Sequence, residues 1–104
     1  MVQSIGPVQA QELISRGDLD VIDVRETREW SSGHLPGARH VPLDRLRSSP
    51  KNALTRDGVI FVCAAGVRSE TAARVAVANG LSTVYNLTGG TRGWVKAGLA
   101  LIQD

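Results

Sequence analysis

Short apolar runs alternate along this chain with segments whose apolar residues recur at helical spacing. The most apolar strand-length run covers residues 59–62, where Val, Ile, Phe and Val follow one another. A run that is apolar at every position is typical of a strand buried on both faces, as in the middle of a parallel sheet. We expect further strands at residues 2–5, 21–24 and 84–87, and a short extended piece at residues 39–41.

The clearest helix is predicted at residues 69–79, where small apolar residues supply a packing face and Gly80 stands at the end. Strands that alternate with helices predict an α/β fold, with a parallel sheet and helices on both of its faces. The remaining expected elements are shorter helices at residues 8–15, 26–32 and 43–48, a polar loop at residues 48–57, and a last helix after Gly89 and Gly90.

Composition and charge narrow the class of protein. A chain of 104 residues, 42% of them hydrophobic and 21% charged, fits a single globular domain over residues 1–104. The longest apolar run, residues 59–65, is too short to span a bilayer, and the first residues lack the pattern of a signal peptide. We therefore expect a cytoplasmic protein with no membrane partner. A net charge of only +2, without interleaved aromatic and basic residues, argues against nucleic acid as a partner.

Cys63 is the only cysteine of the chain, and it directly follows the run at residues 59–62. In open α/β sheets the ligand crevice lies at the carboxyl ends of the strands, so a thiol in this place is positioned for chemistry. A free cysteine at a strand end is also common as a structural residue, where it packs as a small hydrophobe. The pattern therefore predicts either a nucleophile or an inert core thiol.

The four residues after Cys63 are two alanines, a glycine and a valine, so nearly every hydrogen-bond donor in this loop belongs to the backbone. Backbone N–H groups that converge at the start of a helix form a concave site for negative charge. A helix N-terminus and a nearby cation both lower the pKa of a thiol, and Arg68 is the candidate for that cation. The loop is therefore predicted to bind an anion and to favour the thiolate of Cys63.

Other residues that could carry chemistry have structural explanations. Asp23 interrupts an apolar run, and a carboxylate there requires donors, which we expect to be backbone N–H groups or an arginine. His34 and His40 are not spaced as metal ligands, so carboxylates or backbone groups are their expected partners.

The glycine-rich segment at residues 89–93 is not a dinucleotide fingerprint and predicts a tight turn into a helix. We expect no metal site, and we expect both tryptophans to anchor the core.

Three separated motifs, taken together, resemble the signatures of one known family. The first comprises Asp23-Val24-Arg25, Glu29-Trp30 and Gly33-His34-Leu35-Pro36-Gly37-Ala38. The second is the loop Cys63-Ala64-Ala65-Gly66-Val67-Arg68-Ser69, and the third comprises Leu87, Gly89, Gly90 and Trp94. Their order and their spread over nearly the whole chain resemble a single-domain rhodanese, a sulfurtransferase.

This resemblance implies a rhodanese-like three-layer fold, with about five mainly parallel strands, and a thiosulfate sulfurtransferase type of activity without a cofactor. Cys63 would take a sulfane sulfur from a donor such as thiosulfate, become a persulfide, and pass the outer sulfur to cyanide or a thiol. Backbone N–H groups of residues 64–69 would stabilise the persulfide anion, with Arg68 as the cation that closes the loop. Asp23 and Arg25 would support the site rather than react.

The resemblance leaves the sulfur donor open. Some family members that use thiosulfate well carry basic residues inside the loop, where this chain has alanine and valine. A protein-bound persulfide and another small sulfur compound are the other candidates for the physiological source. A possible protein partner, as sulfur donor or acceptor, therefore stands beside the small sulfur-containing substrate.

Two other functions remain as alternatives. The first is a cysteine phosphatase. Cysteine phosphatases place five residues between the cysteine and the arginine to surround a phosphate, whereas four residues separate Cys63 from Arg68, and Ser69 comes next. The shorter loop therefore argues against a phosphatase. A rhodanese-like module for binding, regulation or sulfur carriage without efficient turnover is the second alternative. Such modules often lack the cysteine, so the presence of Cys63 argues against that function without excluding it.

Overall fold

The computed structural model describes residues 1–103 and contains, within them, a single five-stranded sheet. The strands lie in the order β1-β5-β4-β2-β3, and each pairing between them is parallel. The expected α/β fold with a five-stranded parallel sheet is therefore confirmed. Its strands are β1 (Val2–Ile5), β2 (Asp20–Asp23), β3 (Arg39–His40), β4 (Val59–Val62) and β5 (Val84–Leu87).

Six helices lie between or after these strands within residues 1–103. They are α1 (Pro7–Ser15), α2 (Thr27–Ser31), α3 (Leu43–Ser48), α4 (Pro50–Ala53), α5 (Val67–Ala78) and α6 (Gly90–Lys96). None of the helices described in this part of the chain is both long enough and apolar enough to cross a membrane.

The prediction of a polar loop over residues 48–57 is wrong at α4. This helix begins at Pro50, which has no N–H to lose in the first turn, and the N–H of Leu54 donates to the carbonyl of Pro50 at 2.8 Å. Ala53, at the end of the helix, is buried against the core. A single turn is stable here because it seals one edge of the core and not because its sequence has a helical pattern.

The longest helix, α5, begins at Val67, two residues before the predicted start at Ser69. Gly66 precedes it with φ of +102°, a left-handed conformation that residues with a side chain rarely adopt. This glycine turns the chain sharply between Cys63 and the helix. The first turn of α5, with its free N–H groups, therefore lies beside the end of β4.

The core has two layers, one on each face of the sheet, and every residue of β4 is buried. Val59 and Phe61 pack with small residues of α5 on one face. Ile60 and Val62 pack on the other face with residues of α1 and α6, including Ala10 and Trp94. Helices on both faces of the sheet are therefore confirmed, and Cys63 continues the face that packs against α5.

The two tryptophans differ from one another in role. Trp94 is 4% exposed and its indole N–H donates to the carbonyl of Ala100 at 2.9 Å, so the expected core anchor is confirmed there. Trp30 is only half-buried, and the core prediction is wrong for it. Two imidazoles stack on its ring, that of His34 at 3.6 Å and that of His40 at 4.9 Å between centroids.

Candidate active site

The carboxyl ends of β2, β4 and β5 meet at one edge of the sheet, and the loop that follows β4 lies there. Cys63 is the first residue of this loop, Gly66 turns the chain, and Arg68 and Ser69 belong to the first turn of α5. Ala65 is exposed, and Val67 is 74% exposed at the outer rim. The structure therefore brings residues 63–69 together as one compact loop and helix start, as the sequence predicts.

Cys63 itself is 1% exposed and is part of the core layer under α5. Burial alone would fit an inert structural thiol. The sulfur of Cys63, however, also has polar contacts that an inert thiol lacks. The N–H of Gly66 donates to Sγ at 3.0 Å, and the hydroxyl of Ser69 lies 3.3 Å from Sγ. Donors directed at a sulfur stabilise its anion, which an apolar pocket does not.

The acidity of this thiol is set by two opposing effects. Burial raises the pKa of the Cys63 thiol, because it removes water from the charged form. Hydrogen bonds from the hydroxyl of Ser69 and from the N–H groups of Ser69, Gly66 and Ala65 lower it, and together they outweigh burial. The pKa of Cys63 therefore lies below its ordinary value, so the thiolate is more populated near neutral pH than in a free cysteine.

The start of α6 holds the carbonyl groups of the loop. The N–H of Thr91 donates to the carbonyl of Cys63 at 2.8 Å, and the N–H of Arg92 donates to that of Ala64 at 3.1 Å. Gly90 allows this approach, since a Cβ at that position would lie 2.2 Å from the carbonyl oxygen of Cys63. These two oxygens are bound to α6, while the N–H groups of Ala65, Gly66 and Ser69 are directed at the sulfur. Sequence reasoning treated Gly90 as part of a turn and of the third motif, without this contact.

Arg68, the predicted cation of the loop, forms an ion pair with a residue of α2. Its guanidinium donates two hydrogen bonds to the carboxylate of Glu29, at 2.7 and 2.9 Å. The hydrogen bonds from Arg68 lower the pKa of Glu29 to about 2, so this carboxylate is charged at neutral pH. Attraction to Cys63 contributes less than Glu29 does to the raised pKa of Arg68. Glu29 thus neutralises much of the positive charge that Arg68 brings to the loop.

The two supporting residues, Asp23 and Arg25, form a buried pair at the end of β2. The carboxylate of Asp23 accepts hydrogen bonds from the backbone N–H of Arg25 and from its guanidinium, at 2.8 to 3.0 Å. The expectation that Asp23 is bound to a backbone N–H and an arginine is confirmed. Arg25 also donates to the carbonyl of Gly33 at 2.6 Å, so the pair fixes the segment that leads to β3.

The two histidines have backbone partners, as expected. Nδ1 of His34 lies 3.0 Å from the carbonyl oxygen of Leu35, and Nε2 of His40 lies 2.7 Å from that of Arg25. These contacts, together with the stacking on Trp30, hold the chain beside α2. The histidines therefore stabilise the wall of the site near Glu29.

Sequence reasoning missed Asn86, a buried polar residue of β5. Its Oδ1 accepts a hydrogen bond from the hydroxyl of Ser69 at 2.5 Å, and its Nδ2 donates to the carbonyl of Gly66 at 3.2 Å. Asn86 is paired in register with Phe61 of β4, close to the end of that strand. A polar residue inside an otherwise apolar strand was the available signal.

In sequence and in fold the chain is similar to proteins of one family. A model of the rhodanese-like domain matches residues 6–97. The chain is 34% identical over 90 residues to the thiosulfate sulfurtransferase GlpE of Pseudomonas putida, a match that covers 86% of this chain and 82% of GlpE. It is also 34% identical over 84 residues to YrkF of Bacillus subtilis, a proposed sulfur carrier protein, but that match covers 81% of this chain and only 45% of YrkF.

A solved structure gives the same result for the fold. The crystal structure of a rhodanese-related protein from Thermoplasma volcanium is 30% identical, has a TM-score of 0.86, and is matched over 98% of this chain and 99% of its own. The family model extends over all the elements from α1 to α6, including the loop after β4 and the glycines before α6. The chain belongs to the rhodanese-like domain family.

Proposed function

We propose that this chain is a sulfurtransferase that carries a sulfane sulfur on Cys63. The observation that carries the proposal is the contact between the N–H of Gly66 and Sγ of Cys63, at 3.0 Å, in a loop whose first two carbonyls accept hydrogen bonds from α6. This arrangement supplies donors for a sulfur anion without a metal or an organic cofactor. The single thiol suits the reducing cytoplasm, where we place the reaction.

The first half-reaction loads the sulfur. The thiolate of Cys63 attacks the outer sulfur of a donor, for example thiosulfate, so that a new S–S bond forms while the donor's own S–S bond breaks. Sulfite leaves with the electron pair of the broken bond. The product is a persulfide whose outer sulfur bears the negative charge, and the N–H groups at the start of α5 stabilise that charge.

The second half-reaction removes the outer sulfur from Cys63. Cyanide or a thiolate attacks the outer sulfur, the bond between the two sulfurs breaks, and Cys63 leaves as a thiolate. The donors that favour the thiolate also make Cys63 a better leaving group, so the lowered pKa serves both half-reactions. One thiol with one set of hydrogen-bond donors is therefore sufficient for a full cycle of sulfur transfer.

The loop favours a persulfide donor, either small or held by another protein, over thiosulfate. Residues 64–67 contain no charged side chain, and Arg68 is paired with Glu29. The doubly charged thiosulfate ion therefore meets little free positive charge at the loop. We expect a persulfide donor to load Cys63 faster than thiosulfate at equal concentration.

A sulfur carrier without efficient turnover is the second candidate, and two observations favour it. Cys63 is only 1% exposed, which slows the approach of any acceptor, and the chain resembles the proposed sulfur carrier YrkF. A carrier would load one sulfur and release it only to a specific protein. A transferase would release it repeatedly to small acceptors.

Formation of thiocyanate from cyanide, with thiosulfate or a small persulfide as the donor, distinguishes these functions. We expect many equivalents of thiocyanate per protein molecule, and none from the variant Cys63→Ser. At most one equivalent would indicate a carrier. Hydrolysis of a phosphate ester without formation of thiocyanate would overturn both proposals in favour of a phosphatase.

A further inference from the structure

Ser69 has a single hydroxyl proton and two neighbours that compete for it. The hydroxyl oxygen lies 3.3 Å from Sγ of Cys63 and 2.5 Å from Oδ1 of Asn86. Ser69 is fully buried and Asn86 is 6% exposed, so water does not readily replace either partner. Which neighbour receives the proton therefore depends on their relative strength as acceptors.

The orientation of the Asn86 amide is fixed by the loop. The carbonyl of Gly66 can only accept a hydrogen bond, so the group of Asn86 that faces it at 3.2 Å must be Nδ2. Oδ1 then faces Ser69, and because Oδ1 can only accept, the hydroxyl of Ser69 must donate to it. In this state the thiol of Cys63 donates its own proton to the oxygen of Ser69.

Ionisation of the sulfur changes this order. When Cys63 loses its proton to solvent, the sulfur becomes a charged acceptor, and hydrogen bonds to charged groups are stronger than those between neutral groups. The hydroxyl of Ser69 then turns from Asn86 to the sulfur, and Oδ1 of Asn86 is left without its donor.

We propose that Asn86 is a positioning residue that retains the proton of Ser69 while the sulfur is neutral and yields it when the sulfur becomes an anion. Asn86 therefore acts on Cys63 through Ser69 and restrains the ionisation of the thiol. If the proposed sulfur transfer holds, the hydroxyl follows the charge through the cycle. It stabilises Sγ when Cys63 attacks or leaves, and it returns to Asn86 when Sγ carries the second sulfur.

Other charges around Cys63 are mostly held in pairs and form a constant background for this exchange. Asp23 is paired with Arg25, Glu29 with Arg68, and Glu70 with Arg74. The side chain of Arg92, on α6, is exposed, and its backbone N–H donates to the carbonyl of Ala64. None of these groups is altered by substitutions at Asn86 or Ser69.

The test is a pH titration of the ultraviolet absorbance of the thiolate, which reports on Cys63 alone once the spectrum of Cys63→Ser has been subtracted. Asn86→Leu removes the competing acceptor, so we expect the pKa of Cys63 to fall by about 0.5–1 unit. Asn86→Asp provides a stronger acceptor, so we expect the pKa to rise. Both variants lose the Nδ2 donation to Gly66, so that loss cancels in their difference. The negative charge of Asp also raises the pKa of Cys63 directly. Only the part of the difference that disappears with the Ser69 hydroxyl therefore reports on the acceptor that faces Ser69.

The same two variants are then made in a Ser69→Ala background. Because Asn86 acts through the hydroxyl, we expect Asn86→Leu to leave the pKa of Cys63 unchanged there, and the difference between Leu and Asp to shrink. Equal shifts in both backgrounds would overturn the inference, as would shifts of the same sign for Leu and Asp. Thermal unfolding verifies that each variant is folded, and if Asn86→Leu is not folded, Asn86→Asp in the two backgrounds decides alone.

This titration needs no sulfur donor. A failure of the proposed sulfur transfer would leave the thiol without persulfide, whereas a failure of this inference would leave the pKa of Cys63 insensitive to Asn86. The two failures are therefore distinguishable.

Discussion

At the scale of single residues, the donors around its sulfur distinguish Cys63 from an ordinary core thiol. Cysteines in apolar pockets have a raised pKa, whereas the hydroxyl of Ser69 and the N–H groups of Gly66 and Ala65 reverse that effect here. Arg68 adds less than its position suggests, because Glu29 accepts both of its hydrogen bonds. Neutral donors, the Ser69 hydroxyl and the backbone N–H groups, therefore determine the charge of the sulfur more than a cation does.

Replacement of Glu29 by Gln tests how far Glu29 neutralises Arg68. The carboxylate of Glu29 is charged at every pH well above about 2, so its removal acts throughout the titration of the thiol. We expect the pKa of Cys63 to fall by up to roughly half a unit, because a negative charge near the thiolate disappears and Arg68 is released. The measurement is the thiolate absorbance as a function of pH.

Glu12→Gln is the matched control, since Glu12 forms an exposed ion pair with Arg16 on α1. We expect no shift of the Cys63 titration from that change. A Glu29→Gln protein whose thiol titrates at the same pH as the native one, or at a higher pH, would show that Arg68 is not restrained by Glu29.

Sequence reasoning located the thiol and its loop but not the partners of the loop. Cys63, Gly66 and Ser69 lie close together along the chain, so their proximity in space follows from one turn and one helix start. Glu29 is 39 residues from Arg68 and Asn86 is 17 residues from Ser69, so these contacts depend on the packing of α2 and β5 against the loop. The pattern of apolar and polar residues along the chain carries no information on which distant residues make contact.

At the scale of elements, α6 contacts the loop at residues 63–66, which leads into α5. The N–H groups of Thr91 and Arg92 bind the carbonyls of Cys63 and Ala64, at 2.8 and 3.1 Å. This contact requires Gly90, whose φ is +56° and whose missing side chain leaves room for the loop. The turn before α6 is therefore part of the site and not only a connection.

Gly90→Ala is expected to displace the loop and to reduce sulfur loading by at least about tenfold, since its Cβ would overlap the carbonyl of Cys63. Gly98→Ala is the matched control. Gly98 also has a positive φ, of +87°, but its Cβ would meet no atom within 4 Å. Both variants carry a backbone strain of about 1–2 kcal/mol, so only Gly90→Ala should lose loading beyond its loss of stability. Equal loading in the two proteins would contradict the role given to α6.

The elements themselves were predictable where they are apolar and long. The runs at β4 and β5 match the predicted strands, and β2 differs by one residue because Asp20 pairs with Val59. The helix α4 was missed, since its four residues contain no apolar periodicity. The start of α5 was misplaced because Gly66 in a left-handed conformation, which caps the helix, leaves no signal beyond a glycine.

At the scale of the whole molecule, a buried ion pair stabilises the edge of the sheet that carries the site. Asp23 and Arg25 are 0% and 6% exposed in their side chains, and Arg25 also binds the carbonyl of Gly33. Buried charges stay in place only as long as each has its partner. The pair therefore makes the fold of this edge depend on both residues together.

We expect Asp23→Asn to lower the free energy of unfolding by about 3–5 kcal/mol, because it leaves the buried guanidinium of Arg25 without its counter-charge. Asp20→Asn, on the same strand, is the control. Asp20 is bound to Arg39 in a similar two-point geometry, but the side chain of Arg39 is 42% exposed, so we expect a loss of about 1 kcal/mol or less. Urea denaturation measures both, and equal losses would refute the structural role of the Asp23–Arg25 pair.

The central claim is that Cys63 carries a sulfur atom. Its most direct test is the intact mass of the reduced protein after incubation with thiosulfate or a small persulfide, measured before and after addition of cyanide. We predict that the native protein gains the mass of one sulfur atom, that cyanide removes it, and that Cys63→Ser gains none. A native protein whose mass stays unchanged with every donor, or a sulfur that Cys63→Ser still acquires, would contradict the claim.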